Sequence, residues 1–251
     1  MPASRFMPNA EQFGSEVERV FQQLVGEIVR GVYKPGSTLP LGRLLELLKV
    51  ERPVLRAALD RLAHDGLIEI EAGDATILVL DYREHAGLDL LPLLAGHLHG
   101  RADAAAFWVG LLEARASINV DVARLCAERA NRAIRQQIQA LSQQMRAAAD
   151  EETLYELQLR FWRAVQQGSN NIVYRLAFNS MLRAVLAMGA QAHTIGVREV
   201  RRSDYYAEIA AAIAESDPDR AERVTREVMQ AGLRDFRRKV RALRTGAVKK
   251  E

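Results

Sequence analysis

Arginine side chains recur within one short stretch of this sequence, at Arg52, Arg56 and Arg61. A guanidinium group stays charged at ordinary pH and binds phosphate oxygens through paired N–H donors. The same stretch carries apolar residues at the spacing of one helical face: Leu55, Ala58, Leu59 and Leu62. A helix that buries this face leaves arginines and small residues on its outer side. Such a helix is suited to lie in a groove of duplex DNA.

The residues at both ends of this helix predict where it begins and ends. Pro53 is tolerated in a first helical turn, where its missing N–H would have no partner, so we expect the helix to begin near Glu51 or Arg52. Gly66 is expected to end it as a left-handed cap residue. Another helix is expected just before it, from about Leu39. The two helices together predict a helix-turn-helix.

The pattern after Gly66 changes to that of short strands. Apolar residues alternate over residues 67–70 and again over 76–79, and Gly73 lies between the two runs. A period of two interrupted by glycine predicts a β-hairpin. A small hairpin directly after a helix-turn-helix predicts a winged helix-turn-helix domain.

Two segments within residues 16–80 carry several motifs in a fixed order, namely VYKPGSTLP and VERPVLRAALDRLAHDGLIEIEAGDATILV. They combine a Pro-Gly pair, a Val-x-Arg-x-x-x-Arg segment and an Asp-Gly-Leu before the hairpin. This order resembles the DNA-binding domain of the GntR family of bacterial transcriptional regulators. The resemblance implies that Arg43, Arg52 and Arg56 contact operator DNA and that Gly73 enters the minor groove.

The distribution of charge indicates that positioned arginines, and not bulk charge, would bind DNA. The formal net charge is +3, but residues 1–80 hold nine Lys and Arg against eleven Asp and Glu. Phosphate neutralisation is local, because salt screens charges within about 8 to 10 Å. Residues 234–251 supply the basic excess, with eight basic and two acidic residues. We expect a solvated helix end there, followed by a basic tail.

The chain is long enough for two cores, since it has 251 residues of which 49% are hydrophobic. We predict a mainly α protein with four parts: a winged helix-turn-helix domain over 1–80, a linker with one short helix over 81–101, an antiparallel all-helical bundle over 102–245, and a basic tail over 246–251. Residues 1–14 are expected to be mobile.

Helix boundaries are also predicted from the sequence. Ser15 is expected to cap a first helix that runs to about Arg30, and residues 32–39 are expected to form a connector. The second half is rich in Ala, Leu, Arg, Gln and Glu, which favour helices. Six or seven helices are predicted there, with breaks near Asp150, at 168–171, at Gly196 and at 216–217.

Three segments of the second half carry a further resemblance: LLEARASINVDVARLCAERA, LRFWRAVQQGSNNIVYRLAFNSMLRAVL and YYAEIAAAIAESDPDRA. They are similar to the all-helical ligand-sensing domain of the FadR subfamily of GntR regulators. In much of that subfamily one Asp and three His hold a divalent metal that binds a small carboxylate effector. The matching positions here are Gln158, Trp162, Tyr206 and Val228. Because these residues lack the donors that a metal needs, we expect neither a metal nor another cofactor.

Bulky apolar residues take the place of the metal ligands, and Arg115 is the main basic residue on an inward face. The metal-free branch of the subfamily includes a regulator that binds long-chain acyl-coenzyme A, so the resemblance implies an apolar acid or fatty acyl effector. The predicted effector-binding residues are Arg115, Phe161, Trp162, Phe178, Met181, Tyr206, Gly232 and Phe236. Ordinary core packing is the alternative explanation for these aromatic and methionine residues.

Other classes of protein lack support in the sequence. There is no phosphate loop, nucleophile elbow, HExxH or paired-carboxylate motif, so we expect no enzyme. The pair His97 and His99 has no third ligand nearby, and Cys126 is the single cysteine. The sequence has no apolar run of membrane-spanning length and its N-terminus has no signal-peptide core, so we expect a cytoplasmic protein.

Together these features predict a ligand-responsive, sequence-specific repressor. We expect a homodimer that reads a pseudo-palindromic operator in duplex DNA. Binding of an apolar effector is expected either to lower or to raise its affinity for that DNA. Two alternatives stay open. One is a regulator of the same type that senses a small organic acid, and the other is a lipid-binding interaction module that does not bind DNA.

Overall fold

The computed structural model describes residues 10–71, 76–98, 104–187 and 203–244, and the chain divides into two compact units, Met1–Leu98 and His99–Glu251. Both units are mainly helical, and the first also holds a three-stranded antiparallel sheet. The predicted fold class is confirmed. Among the helices in the described ranges, none combines the length and apolar character needed to cross a membrane.

The first unit contains five helices, a short 3-10 turn and three strands within its described residues. In chain order they are α1 Ala10–Val29, β1 Thr38–Pro40, α2 Leu41–Leu48, α3 Arg52–His64, β2 Ile68–Ile70, β3 Thr76–Val79, α4 Tyr82–His85, the 3-10 turn Leu88–Leu90 and α5 Leu91–Leu98. Helix α3 packs on α1. The predicted apolar face of α3 is confirmed, because Leu55, Ala58, Leu59 and Leu62 are all buried.

Both ends of α3 lie where the sequence predicts them. Glu51 precedes the helix in an extended conformation, and Pro53 lies in the first turn. Gly66 has a φ of 72°, and the N–H of Leu67 donates to the carbonyl of Leu62 at 2.9 Å. This bond closes the helix end in the way that a left-handed glycine allows. The proline at the start and the glycine after the end of α3 therefore set its two boundaries by local geometry.

Two predictions for the first unit need correction. Helix α1 begins at Ala10, so the predicted helix start at Ser15 is wrong, and the predicted mobility of residues 1–14 stays a prediction. The predicted connector over 32–39 contains the start of β1, which pairs with β3 through Thr38 and Leu78. A three-residue strand is too short to show a period of two. The wing is therefore one part of a sheet with the order β1-β3-β2.

The segment after the sheet holds more structure than the one short helix predicted for 81–101. Residues 82–98 form α4, the 3-10 turn and α5, and α5 packs on α1. His97 lies 2.9 Å from Gln22 through Nε2 and Oε1, and its ring contacts the position of Gly26. Burial, together with the charge of Arg30, lowers the pKa of His97. This histidine therefore joins two helices of one unit, and His99 lies outside the described residues.

The second unit is built from long helices that bury one common core. They are α6 Ala104–Arg129, α7 Arg132–Ala147, α8 Glu151–Gly168, α9 Ile172–Leu186, α10 Ser203–Ala214 and α11 Pro218–Arg244. The breaks predicted near Asp150, at 168–171 and at 216–217 are confirmed. A break between α6 and α7 was not predicted, although Asn131 caps α7 by accepting from the N–H of Ile134. The predicted break at Gly196 lies outside the described residues.

Helices α6 and α8 approach closely at Cys126. A Cβ atom on Gly168 would lie 2.4 Å from the Cys126 sulfur, so only glycine fits there. Burial raises the pKa of the Cys126 thiol to about 12. A thiol that stays protonated is a poor nucleophile, which supports a packing role for this residue.

Candidate functional site

The outer side of α3 carries the arginines that the sequence singled out. Arg52 and Pro53 are exposed at the start of the helix, and the Arg56 side chain is 43% exposed. The Nε of Arg56 donates to the carboxylate of Asp60 at 3.0 Å, one turn further along. Two guanidinium groups therefore lie at the surface of a helix whose opposite side is fully packed. This arrangement is suited to contact phosphates and base edges.

Arg61 is also exposed, but its guanidinium is bound by residues of the neighbouring helix. Its guanidinium lies 3.9 Å from the centre of the Phe21 ring and donates to Glu18 at 2.7 Å, and both partners are on α1. Hydrogen bonds from Gln22 and Arg61 lower the pKa of Glu18. The exposed flank that helical spacing predicts for Arg61 is confirmed, since its side chain is 45% exposed, but spacing does not predict its contact with the aromatic ring on the neighbouring helix. Arg61 therefore joins α1 to α3.

Arg43 is exposed on α2, beside a surface depression of the same unit. Tyr33 and Lys34 also line this depression, and the sequence did not single them out. Burial raises the pKa of Tyr33, helped by the charge of Glu27 and opposed by the charge of Arg43. Lys34 thus adds a second cation near Arg43. The predicted wing contact Gly73 lies outside the described residues.

The second unit contains a cavity between α6, α8 and α9. Its volume is about 50 Å³. Four of the predicted effector residues line it: Arg115, Trp162, Phe178 and Met181. The remaining lining residues are Leu111, Leu112, Tyr155, Gln158, Leu159, Leu182 and Val185. The cavity is therefore apolar over most of its surface, with its polar groups on α6 and α8.

The other predicted effector residues lie elsewhere. Phe161 and Tyr206 are fully buried in the core beside the cavity, with their ring centres 5.1 Å apart. Gly232 and Phe236 are partly exposed on α11 and are not part of the cavity lining. The cavity thus brings together half of the predicted set. The effector role of every residue in the set stays a prediction.

The position of the subfamily's metal site is filled by side chains that do not fit a metal. The Nε2 of Gln158 donates to the Tyr206 hydroxyl at 2.6 Å, and both residues are buried. The Trp162 ring meets the Tyr206 ring nearly edge-on, with centres 6.2 Å apart, and Val228 is fully buried. An amide, a phenol, an indole and an isopropyl group do not provide the donors for a divalent cation. Across the described ranges, no three His, Cys, Asp or Glu side chains are grouped so that they could hold a metal ion.

Besides Gln158, the polar side chains that line the cavity are Arg115, Tyr155 and Trp162. Trp162 is 2% exposed, and its indole N–H has no acceptor. Arg115 donates from Nη2 to the sulfur of Met229 at 3.8 Å, and a thioether is a weak acceptor. Burial raises the pKa of Tyr155, and the nearby charge of Arg115 acts in the opposite direction. A cationic residue and a tryptophan whose indole N–H has no protein acceptor therefore line the same cavity.

Seven lining residues were missed by the sequence reasoning, and a signal existed for those on α6 and α8. Leu111, Leu112 and Arg115 follow helical spacing on α6, and Tyr155, Leu159 and Trp162 do so on α8. Each set defines one helical stripe. Extending the stripe from Arg115 by one turn and from Trp162 by two turns would have found these residues, whereas Leu182 and Val185 on α9 carry no such signal.

Comparisons with known proteins agree with this architecture. The model of the bacterial regulatory proteins of the gntR family matches residues 16–78, and the FCD domain matches residues 110–231. The HTH-type transcriptional regulator Mce2R of Mycobacterium tuberculosis is 35% identical over 214 residues, which cover 85% of this chain and 88% of that protein. The fatty acid metabolism regulator protein of Edwardsiella ictaluri is 29% identical over 162 residues, or 64% of this chain and 65% of that protein.

Solved structures show the same fold. Lar, which is described as controlling the expression of the Listeria monocytogenes agr system, aligns with a TM-score of 0.52 at 16% identity. The alignment covers 88% of this chain and 96% of Lar. From these matches, the chain belongs to the GntR family of bacterial transcriptional regulators, and its helical half carries the family's FCD domain.

Proposed function

We propose that this regulator is a homodimeric repressor whose two α3 helices read the half-sites of a pseudo-palindromic operator. We also propose that an apolar acid enters the cavity of the helical half and changes the affinity for DNA, without any chemical change to the acid. The cavity carries the second proposal, because its lining is apolar and includes one cation, Arg115. Relatives described as fatty acid metabolism regulators support the same class of effector.

The outer side of α3 supports the first proposal. Arg52 and Arg56 are exposed on a helix that is packed from behind, so they can approach DNA without unfolding any part of the unit. Arg43 adds a third cation from α2. The acidic balance of residues 1–80 means that affinity rests on these few contacts. DNA binding should therefore fall steeply as salt rises.

Coupling between ligand and DNA follows from linkage. A ligand shifts DNA affinity only when it binds the DNA-bound and DNA-free forms unequally. Coupling energies of about 1 to 3 kcal/mol are usual, which correspond to roughly 5- to 150-fold. We expect an effect in this range. We expect release of DNA, as in a repressor that is switched off by its ligand.

The test is an anisotropy titration of a labelled duplex. The duplex is first selected from a random pool by the full-length protein, and its affinity is then measured with and without saturating decanoate. A loss of affinity in the stated range supports the proposal. Unchanged affinity with decanoate, combined with release by lactate or another small acid, would instead support the small-acid alternative. A protein that binds no duplex at any salt concentration would contradict the regulator function itself.

A further inference from the structure

We propose that the C-terminal end of α11 is a second DNA-binding surface, which binds the phosphate backbone of duplex DNA without regard to its sequence. The surface is an arginine stripe, formed by four exposed residues: Arg234, Arg237, Arg238 and Arg241. Its occupant is the same duplex whose half-sites α3 reads, so this inference rests on the proposed function. It gives the helical half a direct part in DNA binding.

Helical spacing places the four arginines on one side of α11. They occur at positions i, i+3, i+4 and i+7 of the sequence, and residues at this spacing are neighbours on a helix surface. Their Cβ atoms are then about 5 to 6 Å apart from one arginine to the next. At 1.5 Å per residue the whole stripe is roughly 10 Å long. The arginine stripe is thus a row of cations that can follow a run of phosphates.

The opposite side of this part of α11 is used within the protein. Leu233, Phe236 and Val240 lie on that side and are only partly exposed, and α11 packs along α6. A helix that lies on a membrane surface needs its apolar side for the lipid. Because the apolar side of α11 is partly buried in its own unit, the remaining charged side favours a nucleic acid over a lipid surface.

Helix α11 runs antiparallel to α6. Near the end of α11, Arg237 pairs with Glu113, whereas Met229, about two turns earlier, contacts Arg115 further along α6. The arginine stripe therefore lies beside the N-terminal half of α6, which is the first helix of its unit. In the sequence, residues 99–103 join this end of α6 to the DNA-binding unit. A chain whose α3 is bound to a duplex thus presents the stripe to that duplex at a high effective concentration.

The arginine stripe keeps an excess of positive charge. Residues 231–244 contain six basic residues and one acidic residue, Asp235, whereas residues 218–230 of the same helix hold three of each. Asp235 accepts a hydrogen bond from Arg238 at 2.9 Å, and Glu113 is the single acidic residue within residues 104–120 of α6. These two carboxylates offset part of the charge of the stripe. The Arg238 side chain is 70% exposed, so its pair with Asp235 is easily replaced by a phosphate.

Arginine is the residue type that binds phosphate with the best geometry. Its guanidinium can donate two parallel N–H bonds to phosphate oxygens whatever the base sequence. Contacts with phosphates hold a protein on DNA and carry no sequence information. Each neutralised phosphate also releases counterions, which strengthens binding at low salt. Since residues 1–80 are slightly acidic, the first unit lacks this general attraction, and the arginine stripe supplies it.

Affinity measurements on two duplexes test the surface. One is the selected operator, extended by about one helical turn beyond each half-site, and the other is a random duplex of the same length. The double variant Arg234→Gln with Arg238→Gln removes two exposed charges and keeps the pair between Arg237 and Glu113. We expect this variant to bind both duplexes at least about threefold more weakly, with the slope of log affinity against log salt reduced by about 2. The ratio of the two affinities should stay unchanged.

Two further double variants locate the effect. Arg160→Gln with Arg163→Gln is the control, because it removes the same charge from exposed positions of α8 in the same unit, and it should leave both affinities and the slope unchanged. Arg234→Lys with Arg238→Lys keeps the charge of the arginine stripe and should keep most of the affinity. Urea unfolding checks that every variant is as stable as the unchanged protein.

The outcomes separate this inference from the proposed function. Unchanged affinity and slope in the glutamine variant of the arginine stripe, or an equal loss in the α8 control, would overturn the second surface and leave the operator function standing. A loss confined to the operator duplex would show that the stripe reads sequence, against the proposal. Binding to anionic phosphatidylglycerol vesicles that depends on the stripe, with DNA binding unchanged, would assign it to a membrane instead. A protein that binds neither duplex would contradict both proposals.

Discussion

At the scale of single residues, the bond between Arg56 and Asp60 sets how readily α3 can meet a phosphate. Their 3.0 Å contact uses the Nε–H of Arg56, and the negative charge of Asp60 offsets the charge that the guanidinium would present to a phosphate. Asp60→Asn removes that negative charge from the outer side. Because an exposed ion pair is worth about 0.2 to 1 kcal/mol, we expect DNA affinity to rise roughly two- to fivefold. Anisotropy at fixed salt measures the change, and Arg56→Ala combined with Asp60→Asn should cancel the gain.

Substitution of Arg61 should change the stability of the fold and not the affinity for DNA, although Arg61 lies only five residues from Arg56. Arg61→Ala removes the contact with the Phe21 ring and the bond to Glu18. The two interactions contribute about 0.5 to 1 kcal/mol and 0.2 to 1 kcal/mol, so the free energy of unfolding should fall by about 1 kcal/mol. Urea unfolding measures this loss. A variant of unchanged stability that loses DNA affinity would contradict the assignment.

These two arginines show what residue-level reasoning could and could not predict. Spacing on a helix gives the direction of each side chain, and it identified the buried leucines and exposed Arg52 correctly. It cannot show that the Phe21 ring on another helix packs against the Arg61 guanidinium. Contacts of that kind depend on how two helices pack, and one sequence does not contain that information.

At the scale of elements, Gly66 fixes the junction between α3 and the sheet. Its φ of 72° suits glycine, and a Cβ there would lie 2.7 Å from the carbonyl oxygen of His85. Gly66→Ala should therefore lower the free energy of unfolding by at least about 2 kcal/mol. Gly42→Ala is the matched control, since nothing lies within 4 Å of that position on α2, and it should be neutral or slightly stabilising. Urea unfolding of the two variants tests the contrast, and equal effects would contradict it.

The attachment of α9 to α6 should depend on pH. Tyr174 on α9 donates to Asp121 on α6 at 2.8 Å. Burial would raise the pKa of Asp121, but hydrogen bonds from Arg124 and Tyr174 outweigh it and lower the pKa. A lowered pKa means that the stabilising effect of this carboxylate is complete above its unfolded pKa and is lost as pH falls through the folded pKa.

Tyr174→Phe removes that bond and should cost about 0.5 to 1.5 kcal/mol near neutral pH. The difference in stability between the two proteins should shrink as the pH falls from the unfolded Asp pKa of about 4 through the lower pKa of folded Asp121. Unfolding free energies across the acid range measure it. A difference that stays constant to the lowest pH at which both proteins fold would show that Asp121 is not the partner.

Element boundaries were predictable where a residue type enforces them. Pro53 and Gly66 mark the ends of α3, and Asp150 marks the start of α8 through its side-chain bond to Thr153. The cap at Asn131 was missed because strong helix formers surround it. Strand β1 was missed because three residues carry too little pattern. A single residue thus predicts the end of a helix only when its effect on the backbone is stronger than the helix propensity of the residues around it.

At the scale of the whole molecule, a homodimer on a two-fold operator should show a fixed stoichiometry. We expect two chains per duplex, with half-sites about one helical turn, or roughly 34 Å, apart. Native mass spectrometry of the protein–DNA complex gives the count, and inserting half a turn between the half-sites should abolish tight binding. One chain per duplex, or tolerance of the insertion, would contradict the dimer.

The two-part organisation was predictable, since a winged helix and a long helical pattern are both visible in the sequence. The cavity was predictable only in part. Arg115 and Trp162 stood out by type, whereas Leu182 and Val185 look like ordinary core residues until α9 is placed against α6 and α8. The indole N–H without a partner is a property of packing and appears only in the structure.

We propose that the exposed arginines of α3 bind duplex DNA. The most direct test is the slope of log affinity against log salt concentration for the unchanged protein, Arg52→Ala, and the exposed control Arg19→Ala. We predict weaker binding and a slope reduced by about 1 for Arg52→Ala if it contacts a phosphate, or a loss of about 1 to 3 kcal/mol with relaxed specificity if it reads a base. Arg19→Ala should match the unchanged protein. Equal affinity, slope and specificity in all three proteins would contradict the account.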